Sequence, residues 1–382
     1  MSALVSRFPI CQSSGYKWRK IAKTQLAMSS QIPSQHTVYR LDKPGSPQGI
    51  VAHTEAVPQL APHEVLIQNK AVSLNFRDII IPKGLYPKDI GDLTGRVLCS
   101  DAAGIVVAVG SSVPASRAKV GDHVITNFTP DHQYGPYKIS EYVDLGGDTE
   151  GTLREYINLP ATAITKIRPD SPLSWGEKAS LVCAGVTAWN GLYGKDKLQP
   201  GQTVLCLGTG GVSLTALAIA KAAGAVTIVT SSSDEKLQKV QKELGVDHIV
   251  NYKTTPNWGK KVWEITGGHG ADFVLENGGP GTLIESLDAV AYGGTVSLIG
   301  VISIKADKEL MEYYAKIMTK NLVVRGIFVG SHELSEQLAR FVNEKDLRIH
   351  VDAEFDHKDG GVLKAFDTLE SQKHVGKVVI NF

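Results

Sequence analysis

The stretch Thr203-Val-Leu-Cys-Leu-Gly-Thr-Gly-Gly-Val-Ser213 decides the fold. Its first five residues form a short apolar run, which is typical of a strand buried on both faces of a sheet. The glycines that follow predict a tight turn, and the small residues of 214–223 predict a helix that can lie close to the sheet.

A strand, a glycine turn and a helix in this order predict a dinucleotide-binding unit. Gly208 allows the turn, and Gly210 lets the backbone approach a pyrophosphate, whose charge meets the free N–H groups at the helix N-terminus. The third position of the pattern requires a small residue, and Ser213 departs slightly from the usual glycine. The alternative is a glycine-rich turn between any strand and helix.

Strand and helix patterns alternate beyond this stretch. Ser232-x-x-Glu235 predicts a capping box that opens a polar helix through Leu244. Five further β-like runs follow the first strand: 226–230, 248–252, 272–276, 295–299 and 322–325. This alternation predicts an α/β fold with a doubly wound parallel sheet covered by helices on both faces.

The chain before this region has a different pattern. From Thr37 to about Leu159, short β-like runs such as Glu64–Gln68 are separated by turn residues, which predicts a mainly β domain. The last residues, Gly376–Phe382, predict an edge or closing strand.

Composition excludes several classes of protein. The 382 residues favour two domains, and 40 Lys and Arg against 39 Asp and Glu argue against nucleic-acid binding. No run approaches the roughly 20 apolar residues of a membrane helix. The four cysteines form no CxxC pair, which argues against a zinc ribbon and favours a reducing compartment, so we expect a cytoplasmic protein.

Residues 1–33 are set apart from the fold as a basic, disordered leader. Residues 1–41 contain six Lys or Arg and no Asp or Glu, and serine is frequent there. This composition is typical of a mitochondrial transit peptide. An ordinary basic leader, or a true start at Met28, are the alternatives.

The end of the second parallel strand favours NADP(H) over NAD(H). A carboxylate that bonds the ribose 2′-OH usually stands there, whereas this chain has Thr230-Ser-Ser-Ser233. Ser231 and Ser232 offer donors to a 2′-phosphate, and Lys236 adds a positive charge one helical turn on. The two acidic residues that open the next helix can serve its dipole instead. The alternative is a plain helix cap with a solvated lysine.

Nine motifs resemble the medium-chain dehydrogenase/reductase superfamily. They are Ser73–Asp78, Gly84–Pro87, Ser100–Gly104, Val120–Val124, Ala184–Trp189, Gly208–Ser213, Thr230–Lys236, Leu244–Tyr252 and Gly293–Gly300. The resemblance covers roughly residues 37–382 and is nearest to the zinc-free branch of quinone oxidoreductase-like and alcohol dehydrogenase-like proteins.

The resemblance implies a GroES-like β-rich catalytic domain with a Rossmann domain inserted into it. The implied boundaries are 34–180 and 327–382 for the two parts of the catalytic domain and 181–326 for the Rossmann NADP-binding domain. The active site then lies in the cleft between the domains, and the protein is a homodimer.

The resemblance also implies the site residues. Asn75, Asp78 and Tyr86 line the cleft as catalytic residues. Ser231, Lys236 and Tyr252 hold the 2′-phosphate, and Thr187 lies beside the nicotinamide ring. The complete implied cofactor-binding set is Thr187, Gly208, Gly210, Gly211, Val212, Ser231, Ser232, Lys236, Tyr252 and Gly300.

A metal is not expected. Zinc-dependent members of the superfamily present a Cys and a Gly-His-Glu, and this chain has Asn75–Asp78 and Cys99–Asp101 at those places. Asp78, Asp101 and His132 form the one alternative ligand set, and it is disfavoured. Arg77 is expected to pair with Asp101 or Asp78 in a structural role.

These observations predict a zinc-independent, NADPH-dependent oxidoreductase that transfers hydride to a small conjugated carbonyl substrate: an enone, enal or quinone. Tyr86 would donate to the carbonyl oxygen or relay a proton to the enolate, and Asn75 and Asp78 would orient the substrate, Tyr86 or the cofactor. A zinc-independent NADP-dependent alcohol dehydrogenase or ketone reductase is the alternative. A non-catalytic NADPH-binding protein is the alternative from another class.

Overall fold

The computed structural model describes residues 32–86, 89–138, 143–300 and 310–382. The predicted leader therefore lies outside the described residues, apart from Ile32 and Pro33. The described helices include none that is both long and apolar enough to cross a membrane.

The β-rich part of the chain comes first. Its elements are β1 (Gln35–Leu41), β2 (Ile50–Ala56), β3 (Glu64–Leu74), α1 (Phe76–Ile80), β4 (Arg96–Val97), β5 (Asp101–Val109), β6 (His123–Thr126), β7 (Tyr156–Pro160), β8 (Ile164–Ile167) and α2 (Trp175–Ala179). β2, β1 and β4 form a small antiparallel sheet. β3 is the longest strand and pairs with β5 and β7, so it organises the second, larger sheet.

The central part alternates helices and strands. Its elements are α3 (Val186–Tyr193), β9 (Thr203–Leu207), α4 (Gly211–Ala222), β10 (Val226–Ser231), α5 (Asp234–Leu244), β11 (His248–Asn251), α6 (Trp258–Ile265), β12 (Ala271–Glu276), α7 (Leu283–Ala289), β13 (Val290–Leu298), α8 (Leu310–Thr319) and β14 (Val323–Gly326). All six strands are parallel, in the order β11-β10-β9-β12-β13-β14. This is the strand order of a doubly wound dinucleotide-binding sheet.

The C-terminal part returns to the β-rich sheet. Its elements are α9 (His332–Lys345), β15 (Val351–Asp356), α10 (Gly361–Glu370) and β16 (Lys377–Asn381). β16 pairs antiparallel with β3 and parallel with β15, so the sheet order is β15-β16-β3-β5-β6-β8. The predicted strand at 376–382 therefore forms, but as an interior strand rather than an edge strand.

The predicted fold class, a GroES-like β-rich part plus a Rossmann parallel sheet, is confirmed. Contacts group Ser34–Phe382 into one compact unit, so the predicted internal boundaries at 180 and 326 stay predictions. One apolar core continues through both parts: Ala71 and Ile125 of the β-rich sheet belong to the same cluster as Val186 and Leu214 of the Rossmann part. This shared core packs α3 and α4 against the β-rich sheet.

A π-helical turn, Leu181–Gly185, runs directly into α3. Its geometry leaves the backbone N–H of Cys183 available, and that group donates to the Asp101 carboxylate at 3.0 Å. Single π-turns often lie at functional sites, and this one joins the start of the Rossmann part to β5.

Candidate active site

The glycine turn has room for a ligand. Gly208 has φ of +76°, in the left-handed region that favours glycine, and Gly210 precedes α4 as its N-cap. A Cβ added to either residue would meet no atom within 4 Å. The first N–H groups of α4 have no partner within the helix, so the turn fits the pyrophosphate of a dinucleotide.

The contacts of Ser213 explain why a serine stands where the pattern usually has a glycine. Its hydroxyl donates to the Leu207 carbonyl at 2.7 Å and accepts from the Asn277 amide at 3.0 Å. Leu207 ends β9 and Asn277 follows β12, so this hydroxyl joins the two strands at the point where the strand order reverses. A small polar residue therefore gives close helix–strand packing and fixes the crevice as well.

Two of the residues predicted for the 2′-phosphate lie together. Ser231 ends β10 and is buried, and its carbonyl accepts from the Tyr252 N–H at 3.1 Å. The Tyr252 side chain is exposed. Asp234 is also near, since its carboxylate accepts from the Asn251 side chain at 2.8 Å.

Lys236 lies in the first turn of α5, close to Ser231 in the chain, and its ammonium is hydrogen-bonded to backbone carbonyl groups. Its ammonium donates to the carbonyls of Gln372 at 2.8 Å and His374 at 3.2 Å. Burial lowers its pKa, and Asp352 opposes that shift. Lys236 is therefore not free: it joins α5 to the loop before β16 through two backbone carbonyl groups.

The predicted capping box at Ser232 is wrong by one residue. Ser233 is the N-cap of α5, and its hydroxyl accepts from the Lys236 N–H at 3.3 Å. Ser232 itself precedes the helix and is half-buried.

The other predicted cofactor residues lie in the first turns of α3 and α4 and after β13. Thr187 is buried in the first turn of α3, and Val212 is half-buried in the first turn of α4. Gly300 follows β13, where an added Cβ would lie 2.2 Å from the Asn277 carbonyl oxygen. Only glycine allows that approach.

Asn75 and Asp78 lie at the start of α1. The Asn75 N–H donates to the Asp78 carboxylate at 2.8 Å, and Asp78 is fully buried. Burial raises the pKa of Asp78 to about 6, although Arg77 opposes the shift. Its second oxygen has no hydrogen-bond partner among the described residues. Asp78 therefore caps a helix with one oxygen, while its other oxygen is buried without a hydrogen-bond partner.

Lys377, which sequence analysis did not identify, completes this cluster. It is 3% exposed, and its ammonium donates to the Leu74 carbonyl and the Asn75 side-chain oxygen, both at 2.6 Å. The signal in the sequence is a lysine that opens the otherwise apolar run Lys377–Ile380. A buried charge of this kind requires partners.

Asp101 faces the same ammonium. Its carboxylate accepts from the Ser100 hydroxyl at 2.6 Å and the Cys183 N–H at 3.0 Å. Burial raises the pKa of Asp101, and the charge of Lys377 opposes that shift. Both Asp101 oxygens are therefore engaged.

Arg77 does not pair with Asp101 or Asp78 as expected. It forms a buried ion pair with Asp144, and its guanidinium carbon lies 4.6 Å from the centre of the Phe128 ring. Asp144 is 67 residues away in the chain, so the sequence carried no local sign of this contact.

Tyr86 lies beside this ion pair. Its hydroxyl donates to the Asp144 carboxylate at 3.4 Å, and its ring centre is 5.3 Å from the guanidinium carbon of Arg77. Burial raises the pKa of Tyr86 above its ordinary value; Arg77 opposes this shift and Asp144 adds to it. Tyr86 is therefore a neutral hydroxyl over the physiological pH range.

The cluster does not fit a zinc ion. The cluster already contains a buried ammonium, which donates to the Asn75 side chain, and both oxygens of Asp101 are already bonded. His132, the third member of the alternative ligand set, bonds the Gly135 carbonyl at 2.8 Å and packs on the Tyr137 ring. The described residues contain no group of three or more His, Cys, Asp or Glu that could hold a metal.

Two family models match the chain. The alcohol dehydrogenase GroES-like domain matches residues 61–169, and the zinc-binding dehydrogenase domain matches residues 211–344. A zinc-type alcohol dehydrogenase-like protein of Schizosaccharomyces pombe is 42% identical over 329 residues, which cover 85% of this chain and 92% of that protein.

Solved structures agree with this assignment. A candidate alcohol dehydrogenase from Sinorhizobium meliloti superposes with a TM-score of 0.83 and 34% identity, over 92% of this chain and all of the other. A quinone oxidoreductase from Pseudomonas syringae gives a TM-score of 0.72 and 26% identity, over 91% of this chain and all of the other. The chain belongs to the medium-chain dehydrogenase/reductase superfamily, whose members are oxidoreductases that use a nicotinamide cofactor.

Proposed function

We propose that the protein is an NADPH-dependent reductase of conjugated carbonyl compounds (enones, enals or quinones) that works without a metal. The observation that carries this proposal is the Tyr86 hydroxyl, neutral and adjacent to the Arg77–Asp144 pair, in a site whose polar cluster is built around an ammonium. Such a site offers a hydrogen-bond donor to an oxygen and no Lewis acid.

The bound cofactor would supply hydride to the β-carbon of the substrate. The negative charge that then develops on the enolate oxygen needs a donor, and less electrophilic help than a simple alkoxide does. Tyr86 supplies that donor by turning its hydroxyl from Asp144, and the 3.4 Å contact it gives up is long for a hydrogen bond. Arg77 keeps Asp144 in place while Tyr86 turns.

NADP(H) is the proposed cofactor. Ser231 and Tyr252 lie together at the end of the second strand, and Lys236 brings a positive charge to the same corner. A 2′-phosphate would replace the carbonyls of Gln372 and His374 as the partner of that ammonium. The pyrophosphate would rest on the turn at Gly208–Gly211.

A zinc-independent alcohol dehydrogenase or ketone reductase is the second candidate. The names of the yeast relative and of the Sinorhizobium structure favour it. We also propose a homodimer, because among the described strands β14 pairs only with β13 and leaves an edge of the parallel sheet available.

The test is a screen of NADPH oxidation with enones, enals, quinones, aldehydes and ketones, with NADH in parallel and with NADP⁺ and alcohols for the reverse reaction. Turnover of conjugated carbonyls and not of alcohols supports the proposal. Turnover of saturated alcohols and ketones favours the second candidate. Binding of NADPH with no turnover of any acceptor would leave only a cofactor-binding protein.

A further inference from the structure

Lys377 opens β16, in a place where a charge is costly. It is almost fully buried, and the three residues that follow, Val378–Ile380, are completely buried. A buried ammonium is tolerated only where its hydrogens are bonded and its charge is compensated. Strand formation alone therefore does not explain why a lysine stands at this buried position.

The ammonium fixes the direction of the Asn75 side chain. Lysine can only donate, so the atom it contacts at 2.6 Å is the amide oxygen of Asn75. The amide nitrogen must then point away and act as a donor. It is buried and makes no hydrogen bond of normal geometry with the described residues. The contact with Lys377 thus fixes the direction of this donor.

The same ammonium compensates two carboxyl groups. The carboxyl groups of Asp78 and Asp101 and the thiols of Cys99 and Cys183 all interact electrostatically with it. Burial raises the pKa of each carboxyl group, and the charge of Lys377 lowers both. The Asn75 amide also lies within reach of the Asp101 carboxylate and, by donating to it, helps to lower the pKa of Asp101. An amide nitrogen carries two hydrogens, so at least one is left for a ligand.

The stem of Lys377 rests on the glycine turn. A Cβ on Gly211 would lie 2.3 Å from its Cδ. The preceding residue, Gly376, donates its N–H to the Thr209 carbonyl at 2.9 Å. One side chain therefore touches both the proposed pyrophosphate turn and the cluster at Asn75.

We propose that Lys377 is a positioning residue: it holds the Asn75 amide as a hydrogen-bond donor toward the substrate in the cleft, and its contact with Gly211 ties that orientation to the cofactor turn. This inference rests on the proposed function. It assigns Lys377 no contact with the reacting atoms.

The test compares K377M, which keeps the stem and removes the charge, with K377R, which keeps the charge, and with N75A. K364M, at an exposed lysine on α10, is the matched control. For each variant we would measure the Kd for NADPH by fluorescence, kcat and KM for an acceptor from the screen, and Tm at pH 5 and pH 8.

We expect K377M to lower kcat at least 30-fold while the Kd for NADPH and the acceptor KM change less than threefold. K377R should return kcat to within tenfold of the wild type, and K377M/N75A should be no slower than the slower single variant. The Tm of K377M should fall more at pH 8 than at pH 5, because two ionised carboxyl groups then lack their cation. K364M should match the wild type throughout.

An unchanged kcat in folded K377M would overturn the proposal, whether or not the Kd for NADPH becomes tenfold weaker. If K377M does not fold, the proposal is tested with K377R and N75A instead. A kcat in N75A equal to that of the wild type would then overturn the proposal. If the wild type reduces no acceptor, the proposed function fails. The Lys377–Asn75 contact is then judged by Tm alone, and purely additive losses in K377M/N75A would refute it.

Discussion

The backbone N–H of Gly376 donates to the carbonyl of Thr209 at 2.9 Å, so the last strand of the β-rich sheet begins on the glycine turn of the Rossmann part. These two residues are far apart in the chain, and their contact places the glycine turn beside the polar cluster at Asn75. The glycine turn is therefore in contact with both parts of the fold.

Gly210 and Gly211 test this relationship as a matched pair. Gly210→Ala should leave Tm unchanged, since the new Cβ meets no atom, but should weaken NADPH binding about tenfold or more because the methyl group enters the space of the pyrophosphate. Gly211→Ala should destabilise the protein without cofactor by about 1–3 kcal/mol, because its Cβ would collide with the buried stem of Lys377. Calorimetric unfolding and NADPH titration separate the two effects. Equal Tm losses in both variants would contradict the geometry.

Lys236→Ala should reduce the preference for NADPH over NADH. The wild type should gain more Tm from NADPH than from NADH at equal concentration, because only NADPH carries the 2′-phosphate. The variant should lose most of that difference. Lys239→Ala is the control, since Lys239 lies on the same helix and pairs with Asp352. An unchanged difference in Lys236→Ala would remove this residue from the site.

Tyr86→Phe should lower kcat about 100-fold and leave the Kd for NADPH unchanged, since a positioned proton donor acts on the transition state and not on cofactor binding. The phenyl ring keeps the contact with Arg77, so the fold should be preserved. Stopped-flow oxidation of bound NADPH would measure the effect on hydride transfer. Full activity in this variant would exclude Tyr86 as the donor.

Asp78 should make the protein less stable as the pH rises from about 4 to 7. Its pKa of about 6 in the folded protein lies above its ordinary value of 3.8, so the folded state binds more protons than the unfolded state in this interval. The loss should be at most about 3 kcal/mol. Asp78→Asn, which retains an oxygen for the Asn75 N–H, should flatten this part of the stability curve. Denaturant unfolding at several pH values would measure it, and parallel curves for both proteins would contradict the assignment.

Dialysis against a strong chelator should leave the proposed reductase activity unchanged, because the cluster at Asn75 contains a buried ammonium and no group of metal ligands among the described residues. Metal content of the purified protein, measured before and after dialysis, is the necessary control. Loss of activity that added zinc restores would show that the site is metal-dependent.

The sequence by itself determined the parallel sheet and the glycine turn. Both depend on local patterns. The glycine turn depends on an apolar run, glycines at fixed offsets and small residues in the following helix, all within 203–223, and the sheet depends on the alternation of strand-like and helix-like runs that continues to residue 325. The resemblance to the superfamily implied that Ser231 and Tyr252 lie together, and they do so in the structure because adjacent parallel strands end at the same edge of the sheet.

Only the tertiary structure decided how the polar cluster is connected. Lys377 contacts Asn75, which lies 302 residues away in the chain. Arg77 pairs with Asp144 and not with Asp78, which is its neighbour in the sequence. Burial is the physical reason: a charge removed from water must find a partner at hydrogen-bond distance, and which partner is within reach depends on how distant strands pack, which local patterns do not encode.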